Sequence, residues 1–312
     1  MSGAGAPFYD DVSSAPRGGR TDWLTCEDGV RVRASLWPEG AKGTVLLFPG
    51  RTEYVEKYGP AALDLASRGY AMATIDWRGQ GLADRDHKDP LVGHINRFAD
   101  FQKDVAALVA HCRREKMPEP YYLIGHSMGG AIGLRALLRG LAVRAVVFTG
   151  PMWGIKIAPA LRPAAWIISS FSRPFGLSHF YAPGTGPLTY VLKATFAENT
   201  LTRDEEMFLW MREQVTRHPD LALGGPSLHW LNEALLECAA LMRSPPPHVP
   251  CYCALGTREA IVDTRPIHRY MARWPQGKLE LVEGAEHEIM METPAIRAAF
   301  FDRVAAHFAE LG

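Results

Sequence analysis

Ser127 lies in the segment Gly125-His126-Ser127-Met128-Gly129, with a glycine two residues away on either side. An apolar run, 121–124, precedes this segment, and a run of helix-forming residues, 131–138, follows it. In a strand–turn–helix context this spacing is typical of a sharp turn that exposes a nucleophilic serine. The glycines remove side chains that would collide in so tight a turn. We therefore predict a nucleophile, with the amino end of the following helix available to an oxyanion. A tightly packed glycine-rich turn without chemistry is the alternative for this segment taken alone.

A carboxylate and a histidine follow two later predicted strands. Glu259 comes four residues after the apolar run 249–255, and His287 comes five residues after the run 278–282. Parallel sheets bind their ligands at the carboxyl ends of the strands, so these side chains should meet Ser127 there. The chain order serine, acid, histidine is that of α/β-hydrolases. The three residues therefore form a candidate catalytic triad.

Two carboxylates compete for the role of the acid. We assign Glu259, because it lies among the first residues after Gly256, where the strand delivers the chain to the site. Asp263 directly precedes a predicted helix, 264–273, and its expected role is an N-terminal cap that accepts backbone N–H groups. In the assigned triad the histidine takes the serine proton, and Glu259 orients the histidine and stabilises its charged form.

The elements that must position these residues alternate along the chain. This alternation predicts an α/β fold with a mostly parallel sheet covered by helices on both faces. A hairpin, 22–37, precedes the alternating part and turns at Asp28-Gly29. The predicted strands are 44–48, 70–76, 121–124, 143–149, 249–255 and 278–282, and the predicted helices include 58–67, 98–115, 264–273 and 294–311.

The alternation stops after residue 151. Between 152 and 247 there are helical patches punctuated by Pro and Gly but no buried β-run, and three consecutive prolines close the segment. We therefore predict an inserted helical lid at 152–247. The remaining divisions are an N-terminal extension, 1–20, and a hydrolase core in two parts, 21–151 and 248–312.

The composition excludes several classes of protein. The 34 basic residues balance the 34 acidic ones, which argues against a nucleic-acid partner. No run of apolar residues is long enough to predict a transmembrane helix, and the first residues lack the basic and apolar regions of a signal peptide. The five cysteines show no C-x-x-C spacing, which predicts buried, reduced thiols and a cytoplasmic location.

Three segments resemble the monoacylglycerol lipase and lysophospholipase group of α/β-hydrolases. They are 49–58, then 76–81 together with 93–98, and 284–289. Within the group, the G-H-x-N-R-F run at 93–98 and the G-A-x-H-E-I run at 284–289 are most similar to bacterial lysophospholipases. The resemblance covers nearly all of the core and fades in the lid. It implies the α/β-hydrolase fold, a serine esterase that forms an acyl-enzyme, and lipid monoester substrates.

The resemblance also implies which groups hold the oxyanion. These are the backbone N–H of Met128 and that of Arg51, and each such donor is worth about 3–4 kcal/mol. Two positions depart from the common pattern of the group, and bacterial lysophospholipases are similar to this chain at both. Pro49-Gly50 stands where His-Gly is common, and Glu259 stands where Asp is usual. No metal or organic cofactor is expected.

Two other functions stay open. A serine aminopeptidase of the proline iminopeptidase type would hold the amine of its substrate with acidic residues of the lid. A non-catalytic binding protein could also retain this fold, although an intact serine, acid and histidine argue against it. The acidic residues available in the lid are Glu198, Asp204, Glu205, Glu206 and Glu213.

One lid segment, 155–177, mixes large apolar residues with arginines. This mixture is compatible with peripheral docking on an anionic membrane surface such as the inner membrane. We favour a second interpretation, in which the segment roofs an acyl pocket. The residues concerned are Trp166, Ile167, Ile168, Phe171, Phe175, Arg162 and Arg173.

Overall fold

One eight-stranded sheet organises the part of the chain that the computed structural model describes, residues 5–158, 160 and 162–310. The strands are β1 Arg20–Thr25, β2 Arg31–Trp37, β3 Thr44–Phe48, β4 Ala71–Asp76, β5 Tyr121–His126, β6 Val146–Thr149, β7 Cys251–Gly256 and β8 Gly277–Val282. Their order in the sheet is β1-β2-β4-β3-β5-β6-β7-β8. β1 and β2 form the antiparallel hairpin, β2 pairs antiparallel with β4, and the other pairs are parallel.

The central strands are mostly apolar, which suits strands that are covered on both faces. In β3, Leu46 and Phe48 pack against one side of the sheet, whereas Val45 and Leu47 pack against the other. At the edge, β8 is only half-buried. The sequence therefore distinguishes central strands, with unbroken apolar runs, from the edge strand, where charged residues intervene.

Helices cover both faces of the sheet. The helices, in chain order, are α1 Asp10–Ser13, α2 Gly59–Ser67, α3 Phe101–Arg114, α4 Met128–Leu138, α5 Arg162–Ser172, α6 Tyr190–Lys193, α7 Glu205–Arg217, α8 Leu228–Arg243, α9 Thr264–Met271 and α10 Pro294–Ala309. One face of the sheet packs against α2 and α10, and the other against α3, α4, α8 and α9. None of the helices in the described residues is long and apolar enough to cross a bilayer.

We call residues 152–247 the lid. Its described residues include helices α5 to α8 and none of the named strands. Isolated β-bridges join it to the core between Gly93 and Pro226 and between Ile155 and Val262. The lid is thus fastened to the core at several points along its length.

The residues before β1 contact both the core and the lid. The buried guanidinium of Arg33 donates a hydrogen bond of 2.9 Å to the carbonyl of Pro7. Gln214 of α7 donates one of 2.9 Å to the carbonyl of Val12. The described part of the N-terminal extension therefore joins the sheet to a lid helix.

Two strands begin two or three residues later than the sequence predicts. The predicted runs 143–149 and 249–255 form strands only from Val146 and from Cys251. Pro250 explains both boundaries, since it has no N–H to donate while its carbonyl accepts from the N–H of Val146 at 2.9 Å. The five cysteines are buried free thiols, as the sequence predicts.

Candidate active site

Ser127 occupies the sharp turn between β5 and α4. Its backbone has φ 49° and ψ −117°, a conformation that costs of order 1–3 kcal/mol for a residue with a side chain. Neighbouring strands hold the turn, because the N–H of Ser127 donates to Thr149 at 3.0 Å and its carbonyl accepts from Met152 at 2.8 Å. Gly129 faces the backbone of Phe48 so closely that a Cβ there would overlap it. The strained serine is therefore fixed by main-chain contacts on both sides.

Two backbone N–H groups are the candidate donors to an oxyanion, and the cavity that Ser127 lines is also lined by Arg51. The N–H of Met128 is the first of α4 and has no intrahelical acceptor, and the helix dipole adds positive charge there. Arg51 lies in the loop after β3. That loop is held by Glu53, whose carboxylate accepts from the N–H of Gly50, and by Gln80, which donates to the carbonyl of Gly50 at 2.8 Å. Both groups therefore sit on rigid backbone.

His287 and Glu259 are in direct contact. Nδ1 of His287 lies 2.6 Å from Oε2 of Glu259. The other carboxylate oxygen accepts backbone N–H groups of Ile261 at 2.6 Å and Val262 at 3.0 Å. The carboxylate is thus oriented by its own loop and presents one oxygen to the imidazole.

The contact between the two side chains favours the charged form of each of them, the imidazolium of His287 and the carboxylate of Glu259. Burial by itself would lower the pKa of His287, but the Glu259 carboxylate outweighs it, and the pKa of His287 is raised above its ordinary value. Burial would raise the pKa of Glu259, but the imidazole and two backbone N–H groups lower it. Glu259 is therefore ionised at neutral pH, and it makes His287 a stronger base.

Asp263 lies at the start of α9 and serves a different purpose. Its carboxylate accepts from the N–H of Arg265 at 3.2 Å and contacts the guanidinium of the same residue at 2.9 Å. This is the N-terminal capping geometry. Of the two carboxylates considered from the sequence, Glu259 is the one placed against His287.

Gly150, at the end of β6, borders the histidine–carboxylate contact. A Cβ at this position would lie 2.9 Å from Nδ1 of His287 and 3.0 Å from Oε2 of Glu259. Its φ of +46° is also one that side-chain-bearing residues rarely adopt. Sequence analysis did not identify this residue, since a glycine after a strand has many explanations.

A buried cluster lies next to the site. Nζ of Lys57 donates to Glu53 at 2.8 Å and to Glu288 at 2.6 Å. His126 has its Nε2 3.5 Å from Glu53, and burial lowers its pKa to about 3, so it is neutral. Glu53, His126 and Glu288 bring possible metal-ligand atoms within 4.8 Å of one another. The Lys57 ammonium already forms salt bridges with both carboxylates, so the cluster is better explained as a salt-bridged support.

A cavity of about 740 Å³ opens beside Ser127 and His287. Its size lies within the range of small-molecule sites. Most of its lining is apolar and comes from the lid together with the loop before α9. The apolar lining residues include Met152, Ile155, Leu188, Val191, Leu201, Met211, Val215, Leu223, Trp230, Ile261 and Val262.

The interpretation of segment 155–177 as the roof of this cavity is wrong for its described side chains, and the side chain of Arg162 lies outside them. Among the described side chains of that segment, Ile155 alone lines the cavity. Phe171 is 59% exposed, because α5 packs against α8 through its other side, and Phe175, in the turn after α5, is 72% exposed. The roof is formed by later lid residues, 184–191 and 223–226.

Comparisons with known proteins fit this geometry. The family model described as "Serine aminopeptidase, S33" matches residues 39–294. The chain belongs to this family. Lysophospholipase L2 of Escherichia coli (strain K12) is 32% identical over 276 residues, which cover 85% of this chain and 79% of that protein. Probable lysophospholipase L2 of Haemophilus influenzae is 26% identical over 93% of this chain and 90% of its own length.

The fold also matches solved structures. A soluble variant of monoglyceride lipase from Saccharomyces cerevisiae, in complex with a substrate analog, superposes with a TM-score of 0.72. Its sequence is 20% identical, and the match covers 98% of this chain and 99% of that one. The predicted α/β-hydrolase fold and the predicted resemblance to the lipase and lysophospholipase group are both confirmed.

Sequence reasoning expected Glu53 to form a structural pair near the site but missed its partner Lys57 and the second carboxylate, Glu288. Lys57 and Glu53 are spaced four residues apart, and that spacing is a signal for an ion pair on one helical turn. Glu288 follows His287 directly but lies 231 residues from its partner Lys57. A contact across so long a stretch of chain leaves no local signal.

Proposed function

We propose that this protein is a serine hydrolase that cleaves carboxylic esters of monoacyl lipids, with lysophospholipids as the foremost substrates. One observation carries the proposal: Ser127 and His287 line the same apolar cavity, and His287 is bonded to the buried Glu259. The relatives named lysophospholipase L2 support the choice of substrate class.

The reaction follows from the roles of these residues. His287 takes the proton of the Ser127 hydroxyl as the serine oxygen attacks the ester carbonyl. The tetrahedral oxyanion is met by the N–H groups of Met128 and Arg51. His287 then gives its proton to the departing alcohol, and an acyl-enzyme remains on Ser127. Water attacks this acyl group by the same route, with His287 as base, and releases the fatty acid.

Glu259 acts in this scheme through His287. Its charge stabilises the imidazolium that exists while the proton is held, and its contact with Nδ1 leaves Nε2 of the ring for the serine. Replacing the carboxylate by an amide keeps the size of the side chain but removes the charge. The expected consequence is a loss of turnover with little loss of stability.

The cavity supports a single acyl chain as the acid part of the ester. Its apolar lining gains about 0.8 kcal/mol for each methylene that leaves water. We therefore expect esters of long-chain fatty acids to be better substrates than acetate esters. A comparison of kcat/KM across acyl lengths tests this, and equal values for short and long chains would contradict it.

The aminopeptidase alternative needs a carboxylate that faces the substrate's amine. The five lid acids named above all fall in the described part of the chain, and none of them lines the cavity. The carboxylates that do line it, Glu53 and Glu288, are bonded to Lys57. These placements favour lipid esters over peptides, although the family description names an aminopeptidase.

We also propose that the lid touches a membrane surface. The outward apolar side chains of α5 and the turn after it form an exposed patch, with the exposed Arg173 beside them. Such a patch suits peripheral contact with anionic lipid, where the substrate resides. The members of the patch are Ile167, Ile168, Phe171, Phe175, Leu177 and Phe180.

A hydrolysis panel tests the function as a whole. It compares lysophospholipids, monoacylglycerols, p-nitrophenyl esters and aminoacyl amides, each with the wild-type protein and with Ser127→Ala. We expect release of fatty acid that depends on Ser127. Release of N-terminal amino acids without fatty acid would replace the proposal by the peptidase. No turnover and no labelling by a fluorophosphonate would instead indicate a binding protein.

A further inference from the structure

The half-buried side chain of Arg51 differs from the buried cations Arg33 and Lys57. Arg33 and Lys57 each contact two carboxylates. No carboxylate among the described residues forms an ion pair with Arg51. One Nη2 hydrogen bond of 2.6 Å, to the carbonyl of Gly224, is its only described polar contact, and its Nε is buried without a partner.

The surroundings of Arg51 hold the guanidinium in place. Its central carbon lies 5.2 Å from the centroid of a Trp230 ring, a cation–π contact. Gly93 lies against Nη2 so closely that a side chain there would overlap the guanidinium. The core, on one side, and the lid, on the other, therefore clamp the group. A clamped side chain loses little conformational freedom when it binds a ligand.

The charge of Arg51 is left without compensation by this arrangement. Removing a cation from water is costly unless an anion or several acceptors replace the water. In agreement, burial lowers the pKa of Arg51 to about 10. An anion that entered the cavity would restore the lost solvation. The planar fork of a guanidinium matches the oxygens of a phosphate better than any other side chain does.

Arg51 also stands at the correct place for such an anion. It lines the same cavity as Ser127 and His287. Its backbone N–H belongs to the proposed oxyanion hole, so its side chain branches from the main chain close to the reacting ester. In a lysophospholipid the phosphate is joined to that ester through glycerol, and in a monoacylglycerol the same position carries a neutral hydroxyl.

We propose that the Arg51 side chain binds the phosphate of a lysophospholipid and makes the enzyme prefer such esters to neutral monoacylglycerols. This inference rests on the proposed function and adds a residue that recognises the alcohol part of the substrate. The acyl part is held by the apolar lining described above.

The test is a selectivity ratio. It is the kcat/KM for a lysophosphatidylglycerol divided by the kcat/KM for the monoacylglycerol with the same acyl chain, both in the same neutral detergent micelles. In Arg51→Met we expect the ratio to fall at least about tenfold, as the loss of a charge-assisted hydrogen bond requires. In Arg51→Lys, which keeps the charge but loses the fork, the fall should be smaller. The ratio is informative even if the absolute rates change, because every variant retains the backbone N–H.

Arg85→Gln is the matched control. The Arg85 guanidinium donates to four carbonyls, two of them on the lid at Asp220 and Ala222, both at 2.9 Å. It is absent from the described lining of the cavity. Arg85→Gln therefore loosens the same part of the lid without removing a cation from the cavity, and its ratio should match that of the wild type.

The outcomes separate this inference from the proposed function. An unchanged ratio in Arg51→Met, or an equal fall in Arg85→Gln, overturns the role of Arg51. If the wild-type protein hydrolyses monoacylglycerols but not lysophospholipids, the inference fails while ester hydrolysis stands. If it hydrolyses neither lipid, the proposed function fails.

A second measurement needs no variant. The wild-type protein turns over a p-nitrophenyl ester while an ether-linked analogue competes, either a 1-O-alkyl-glycerophosphoglycerol or the corresponding 1-O-alkylglycerol. We expect the phosphate-bearing ether to inhibit at a concentration at least about tenfold lower. Equal inhibition by the two ethers would contradict a phosphate site even if Arg51→Met failed to fold.

Discussion

Different interactions position the residues of the strand-end site and those of the lid. Ser127 and Glu259 are held by main-chain hydrogen bonds, to β6 and the residues after it for Ser127 and to its own loop for Glu259, so their placement depends little on which side chains surround them. The lid instead lines the cavity with apolar side chains from separate short segments. The comparison indicates that the core determines the chemistry, whereas the lid and the cavity wall determine the substrate.

The largest effect is expected at the nucleophile. Ser127→Ala removes the attacking oxygen and should lower ester turnover by about a million-fold, as losing the nucleophile does in serine hydrolases. The thermal unfolding temperature should stay close to that of the wild type, because Ser127 contributes its main chain and not its hydroxyl to the turn. Undiminished turnover in a folded variant would remove the serine from the mechanism.

The next effect separates the two acids. Glu259→Gln should reduce kcat by roughly ten-thousand-fold, because the imidazolium loses its charge partner. Asp263→Asn is the control, since Asn also caps a helix. Steady-state kinetics on one ester measures both. A severe loss in Asp263→Asn with normal turnover in Glu259→Gln would reverse the assignment.

Gly150→Ala tests how tightly the core holds His287 and Glu259 in place. The added Cβ must displace His287 or Glu259, and a shift of about 1 Å in catalytic groups can cost about a hundredfold in rate. The positive φ adds strain of order 1 kcal/mol. We expect kcat to fall while KM changes little. Gly176→Ala, at a positive φ with open space around it, controls for the strain alone, and equal kinetic loss there would contradict the steric explanation.

Membrane contact by the lid is tested by changing two exposed residues. Phe171→Asp combined with Phe175→Asp should reduce binding to vesicles of anionic phospholipid at least about tenfold, because the two rings no longer enter the interface. Turnover of a water-soluble ester should be unchanged, since neither side chain lines the cavity. Sedimentation with vesicles measures the binding. Unaltered sedimentation would indicate that this patch does not meet the membrane.

The smallest effect concerns pH. His287 must be neutral to accept the serine proton, and Glu259 raises its pKa above the ordinary 6.5. Activity should therefore fall as the pH drops through that raised pKa. In Glu259→Gln the carboxylate no longer offsets the effect of burial, so the pKa of His287 should fall. The acidic limb of the residual kcat/KM profile should therefore move to lower pH. A limb that stays in place would mean that another group titrates there.

The sequence predicts the core better than the lid for a physical reason. The glycines around Ser127 and the positions of Glu259 and His287 after apolar runs are local signals, and the fold brings strand ends together wherever such runs form a parallel sheet. The pairing of Lys57 with Glu288 spans 231 residues and has no such signal. The apolar residues of α5 predict an amphipathic helix, but periodicity does not say whether its apolar face covers a cavity or faces outward.

Active-site titration with a fluorophosphonate tests the central claim most directly. The wild-type protein is labelled to completion while its turnover of a lysophospholipid is followed, and the modified residue is identified by peptide mass spectrometry. The account predicts one label per chain, on Ser127, with turnover lost in proportion to labelling. Full labelling of another residue, or turnover that persists when Ser127 is fully labelled, would contradict it.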